Sequence, residues 1–147
     1  MAKFDFPTEI VDLPSGGKMY TEGHPLSKGT VEIKYMTAKE EDILASQNLI
    51  RKGVVLDKLF ESVVVEEGLD IGDIFIGDKN AILLATRILG YGPEYKAEVI
   101  DPSNGEPQEV QIDLSKIQIK DLDSSKLNSE NKYNFELKYT IEWTLMY

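Results

Sequence analysis

Apolar and polar positions alternate through residues 30–36, where Val31, Ile33 and Tyr35 stand against Glu32 and Lys34. A period of two predicts a half-buried strand over 30–36. The pattern then changes abruptly. Thr37 precedes Glu40 by three positions, the spacing at which two side chains satisfy orphan backbone donors at a helix start. This predicts a helix over 38–52. Arg51 and Lys52 place positive charge in its last turn, and Gly53 supplies a left-handed stop. A second helix is predicted over 54–65, with Val55, Leu56, Leu59, Phe60 and Val63 on one stripe. The β-branched run Val63-Val64-Val65 at its end pulls toward strand. Residues 69–77 read as a turn-rich link whose Leu69, Ile71, Ile74 and Phe75 tuck under the helices. Asp78 is expected to N-cap a third helix over 79–89, closed by Gly90. Ala81, Ile82, Leu83, Leu84, Ala85, Ile88 and Leu89 make that helix apolar almost all round, as suits a central or interfacial helix.

From Lys96 onward the character changes to strands. Glu98-Val99-Ile100 is expected to pair with Glu109 to Ile112 across Asp101-Pro102-Ser103-Asn104-Gly105-Glu106, a cluster of turn residues. Ile117-Gln118-Ile119 reads as a further strand, and Lys126 to Asn131 as a polar loop. Over 134–147, Phe135, Leu137, Tyr139, Ile141, Trp143 and Leu145 alternate with Glu136, Lys138, Thr140 and Glu142, predicting a long strand with one apolar face. The sequence stops inside that pattern, which points to a truncated version of a longer chain. Residues 1–29 hold Pro7, Pro14, Gly16, Gly17, Gly23, Pro25 and Gly29 and read as an extended arm with turns. Lys18-Met19-Tyr20 is a candidate short strand within it. Such an arm folds over its own domain or clasps a neighbour, and both remain open. The expected fold is α+β in three parts. They are the arm (1–29), a strand with a small three-helix core (30–95), and a C-terminal antiparallel β segment (96–147).

Several blocks together carry a resemblance. They are Leu13-Pro14-Ser15-Gly16-Gly17-Lys18-Met19-Tyr20, Lys34 to Leu44, Arg51 to Leu59, Gly77-Asp78-Lys79-Asn80-Ala81 and Arg87-Ile88-Leu89-Gly90-Tyr91-Gly92. In this order they resemble the baseplate protein family of T-even-type tailed phages. The resemblance implies a component or assembly factor of the baseplate hub that works by contact with other hub or tail proteins, and not an enzyme. It further implies the host cytoplasm during assembly and the virion tail baseplate as locations. Family relatives carry a zinc-ribbon-like cysteine knuckle in the β segment. Here Asp101 and Asn104 stand at those places, so no metal is expected and Pro102 with Asn104-Gly105 is expected to hold the turn instead. By match to the family blocks, Tyr35, Met36, Arg51, Lys52, Arg87 and Tyr91 are candidate contact residues. Leu56, Phe60, Ile82 and Leu89 join them as apolar helix positions that a small core leaves for a partner groove.

Composition narrows the function classes. The formal net charge is −10, with −6 over residues 1–95 and −4 over residues 96–147. So even an acidic balance offers phosphate backbones no attractive field, which argues against nucleic-acid binding. It suits a basic protein partner and is compatible with a homo-oligomer. With no cysteine in the chain, neither a disulfide nor a thiolate metal site can form. No apolar run approaches the ~18 residues of a membrane span, and the first residues lack the apolar core of a signal peptide. His24, the single histidine, lies in a Gly-Pro turn without a partner for metal binding and reads as an exposed turn residue. Ser15 before Gly16-Gly17 offers at most an anion nest, lacking the strand and Gly-Lys-Ser/Thr of a phosphate loop. The acids Glu66, Glu67, Asp70, Asp73 and Asp78 do not match a calcium loop and read as solvated or capping groups. A hydrolytic carboxylate pair among them would need a sugar-binding aromatic cleft. No cofactor is expected. Beside the baseplate reading stands a small peptide- or ligand-binding module that uses strand addition at the C-terminal β segment.

Overall fold

The structure, a computed structural model, describes residues 6–120, 123–126 and 128. The predicted strand forms as β2 (Thr30–Lys34), and its partner lies inside the Pro/Gly-rich arm. That partner, β1 (Thr8–Asp12), runs antiparallel to β2, from Thr8 opposite Lys34 to Asp12 opposite Thr30. The arm therefore folds over its own chain. On its other edge β2 meets the Val63-Val64-Val65 run. Ile33 bridges Val64, and the Val65 N–H donates to the Glu32 carbonyl at 3.0 Å. β-branched side chains at that point convert a helix end into a strand-like contact.

The connection from β1 to β2 is tied by Leu13 N–H to the Gly29 carbonyl at 2.9 Å, and it buries Leu13 and Leu26. Lys18-Met19-Tyr20 is not a strand. Overlapping turns run through it, with Gly16 bonded back to Leu13, Lys18 to Ser15 and Tyr20 to Gly17. Glycines at this density favour tight turns over a ladder.

The predicted helix over 38–52 is two helices, α1 (Ala38–Ala45) and α2 (Gln47–Lys52). Ser46 is extended, at φ −70° and ψ 104°, and its hydroxyl accepts from the Leu49 N–H. A capping serine restarts the helix there, competing with continuation through it. Gly53 ends α2 at φ 70°, as expected. α3 (Val55–Val63) follows with Leu59, Phe60 and Val63 buried. α4 runs from Ile76 to Tyr91, so Asp78 is not its cap. Phe75 takes that position, and Asp78 lies in the first turn. Gly90 does not end α4 either, since Gly92 at φ 82° does. A Cβ at Gly90 would lie 2.5 Å from the Met36 methyl, so that flexible side chain would have to shift.

Leu13, Leu26, Val31, Ile33, Leu59, Phe60, Val63, Ile71, Ile74 and Ile82 form one core under β1–β2 and the helices. From Gly92 the chain passes directly into a second antiparallel pair, β3 (Glu94–Ile100) and β4 (Pro107–Asp113). Side chains of the turn hold it. Asp101 accepts from the Ser103 N–H at 2.8 Å and from Gln108 at 3.0 Å, and Asn104 accepts from the Glu106 N–H at 3.0 Å. Ile117-Gln118-Ile119 is not a strand. Ile117 and Ile119 line a groove shared with Leu84 and Ile88 of α4 and remain 49% and 51% exposed. The whole is the α+β mixture that the pattern predicts, with four helices and two small two-stranded sheets among the described residues. The strand expected over 134–147, and most of the polar loop before it, lie outside the described residues.

The capping relation between Thr37 and Glu40 carries more than a helix start. The buried Glu40 carboxylate accepts from the Thr37 N–H at 2.8 Å and from Lys34 at 2.9 Å, and also from the Thr37 and Ser62 hydroxyls. It thereby joins β2, α1 and α3. Burial alone would raise its pKa, but the bonds from Ser62, Thr37 and Lys34 outweigh that and hold it far below the usual carboxylate range. An unfolded glutamate titrates near ~4.3, so this stabilisation is complete above that value. It is lost as pH falls from there through the lower folded value. Glu40→Gln is therefore expected to be less stable than the parent at pH 7 and to show a flatter acid limb in urea unfolding. Parallel stability–pH curves for the two proteins would contradict this.

Candidate functional site

The best-organised polar constellation surrounds Asp78, which is 1% exposed. Its carboxylate accepts from the Ser15 N–H at 3.1 Å, the Ser15 hydroxyl at 2.7 Å and the Tyr20 hydroxyl at 2.6 Å. Ser15 Oγ in turn accepts from the Gly17 N–H at 3.2 Å. Tyr20 Oη accepts from the Phe75 N–H at 3.3 Å. Burial first, and then the bond to Asp78, push the Tyr20 hydroxyl well above the ordinary tyrosine range. The phenol thus stays protonated and donating through neutral and mildly alkaline pH.

The group is a lock, with no reactive end. Each bond to the carboxylate comes from the chain itself, and the anion held at Ser15-Gly16-Gly17 is Asp78, so no anion nest is left open. His24 is half-buried, contrary to the exposed turn residue expected. Its Nδ1 accepts from the Leu26 N–H at 3.2 Å, and its ring stacks on Tyr20 at 4.6 Å. The remaining acids do not converge. Glu66 pairs with Lys28 and accepts from the Glu32 N–H, while Asp70 caps the turn at Gly72. Among the described residues no three His, Cys, Asp or Glu side chains are placed to hold a metal ion. No helix among them is long and apolar enough to cross a membrane.

The lock joins two of the blocks singled out above, Leu13–Tyr20 and Gly77–Ala81. The Met36–Gly90 contact joins two others, Lys34–Leu44 and Arg87–Gly92. Blocks far apart in sequence are thus one packed body. The chain matches the family model described as T4 bacteriophage base plate protein over residues 6–145. It belongs to the T4-type baseplate protein family. No curated protein and no solved structure gives a significant match.

In this baseplate protein the expected contact positions fall into three groups. Phe60 and Ile82, at 3% and 0% exposure, are core residues. Phe60 on α3 and Ile82 on α4 belong to one buried cluster with Ile33, Leu59 and Val63. A second group gathers where α2 meets α3. Arg51 and Lys52 are exposed at the end of α2, and Leu56 is 43% exposed on α3. Beside Leu56 runs a groove of about 290 Å³ lined by Val55, Phe60, Ile76, Lys79 and Leu83. Ile76, 74% exposed, and Lys79 were not anticipated. Starting the helix one turn earlier would have revealed them, because Ile76, Lys79, Asn80 and Leu83 follow the spacing of one helical face.

The third group lies at the other end of α4. The Arg87 guanidinium sits 4.7 Å from the Tyr91 ring and 5.9 Å from that of Tyr95, and it donates to the Gly92 carbonyl at 3.4 Å. Met36 and Leu89 pack partly against the core. Tyr35 is half-buried, and its N–H donates to the Pro7 carbonyl at 3.2 Å. Only Tyr91 in this group is largely exposed.

Proposed function

We propose that this baseplate protein is a hub-assembly protein that works by protein–protein contact, either as a built-in subunit or as a transient chaperone. The observation that carries the reading is the groove between α3 and α4. A large aliphatic side chain, Ile76, stands nearly uncovered beside the half-exposed Leu56, with the Lys79–Asp57 ion pair at the margin. Isolated apolar side chains on a surface need no explanation, but an apolar groove with charged margins fits an amphipathic helix of a partner. Another hub or tail protein is the natural occupant. In this reading the chain has no catalytic role, binds no nucleic acid, meets its partner in the host cytoplasm and enters the virion baseplate.

Co-expression with the hub and tail proteins of the same phage tests the proposal by affinity capture. Wild-type protein is expected to retain one of them. Leu56→Asp combined with Arg51→Glu is expected to lose it while melting at an unchanged temperature, because both positions are exposed. Capture that is indifferent to the double substitution would contradict the groove, and a monomer that retains none of these proteins would contradict the assembly role. A second reading draws on the β3–β4 pair, whose two outer edges pair with no further strand among the described residues. Strand addition there would make the chain a peptide-binding module. Binding of extended peptides without any tail protein would favour it.

A further inference from the structure

Arg87 differs from every other lysine and arginine among the described residues. Lys18, Lys39, Arg51, Lys52 and Lys120 also pair with no described carboxylate, but each of these is exposed. Arg87 is unpaired and half-buried. Its guanidinium lies within cation–π reach of Tyr91 and Tyr95, and the Gly92 carbonyl takes one weak hydrogen bond at 3.4 Å. The chain has carboxylates to spare, with 26 acidic against 16 basic side chains, yet none is spent here. Asp113, which adjoins the groove residue Leu114, is engaged by Ser115 and Lys116 instead. A charge partly withdrawn from water is costly until its donors are met, and the guanidinium fork matches the two oxygens of a carboxylate.

The surroundings narrow what brings that carboxylate. Arg87 and Tyr95 line a groove of about 450 Å³ with Leu83, Leu84 and Leu114. The groove runs into one face of the β3–β4 ribbon, where the register sets Tyr95 opposite Ile112 and Ala97 opposite Val110. Tyr95, Val99, Val110 and Ile112 on that face remain 38–48% exposed. A strand of the ribbon is roughly 24 Å long, more than a small carboxylic acid would cover. A polypeptide segment matches that length. A second copy of the chain is disfavoured as its source, because two molecules of net charge −10 repel each other. The same field disfavours a strongly acidic segment. The surface therefore fits a segment with one carboxylate for Arg87 and large apolar side chains for the groove and ribbon.

We infer that Arg87 and the adjoining groove dock a segment of a partner protein that carries a single Asp or Glu among large apolar residues. The inference rests on the reading that the chain works by protein–protein contact, and it adds a second surface. The two grooves meet at Leu83, but Arg87 lines only this one and Leu56 only the other. For the test, a displayed library of random linear peptides is selected on the purified full chain and counter-selected on Arg87→Leu. The peptides held only by the wild type are expected to share one acid flanked by large apolar residues. For a synthetic peptide of that kind, fluorescence anisotropy should show about tenfold weaker binding when its acid is changed to the amide. That change leaves the protein untouched, so no loss of folding can mimic it. Tyr91→Ala, at a position 53% exposed, should also weaken binding, and Leu56→Asp should leave it unchanged. Three results would each overturn the inference. They are a selection without Arg87-dependent peptides, peptides whose binding ignores the acid-to-amide change, and loss of binding in Leu56→Asp. Acid-dependent docking without capture of any hub or tail protein would count against the assembly role alone.

Discussion

Asp78→Ala is expected to destabilise the protein by about 3 kcal/mol, a fall in Tm on the order of 10 °C. The substitution removes the common acceptor of the Ser15 N–H, the Ser15 hydroxyl and the Tyr20 hydroxyl in a site closed to water. Each donor left unpaired and buried costs about 1–3 kcal/mol, and partial relaxation keeps the sum below the maximum. Asp78→Asn should fall between, because one oxygen still accepts while the amide offers donors to hydroxyls that must turn round. Tyr20→Phe is expected to cost about 1 kcal/mol in the parent and less in the Asp78→Ala background, because the hydroxyl has then lost its acceptor. Thermal unfolding of the parent and the four variants measures all of this. An Asp78→Ala protein as stable as the parent would show that the clasp between the 13–20 loop and α4 does not hold the fold.

Gly17→Ala is expected to be at least as damaging, at more than about 3 kcal/mol. Gly17 has φ +77°, and a Cβ there would lie 2.3 Å from the Ser27 carbonyl oxygen and 2.7 Å from the Gly29 nitrogen. Both are backbone atoms of the return leg to β2 and cannot swing aside as a side chain would. Gly53→Ala is the control. Its φ is +70°, but nothing lies within 4 Å of the added Cβ, so only the conformational cost of about 1 kcal/mol applies. Chemical unfolding separates the two. Equal losses at Gly17 and Gly53 would mean that the loop–loop contact yields readily.

Some of this organisation is local and therefore readable from residues alone. The alternation of Val31 and Ile33, the Thr37–Glu40 spacing and the Gly53 stop each act within a few residues, and each appears where expected. β1 was hidden because Thr8–Asp12 has no alternation of its own. It is a strand by virtue of β2, which follows after a long loop. Asp78 was misread for a similar reason. An acid near a helix start looks like a cap until its true partners, Ser15 and Tyr20, are known to lie 63 and 58 residues away. At Ser46 the signal was present, a serine ahead of Gln47 and Asn48, but it was outweighed by the continuous run around it. For the contact surface, an amphipathic stripe shows which side of α3 is apolar. It does not show how much of that side the core consumes, so Phe60 and Leu56 looked alike until packing separated them.

The account rests on the chain acting through a surface, and the most direct test is made in the phage. Phage carrying Leu56→Asp should produce the folded protein at normal level and fail to assemble baseplates, counted by electron microscopy of infected-cell lysates. Normal numbers of complete baseplates from that folded variant would contradict the account.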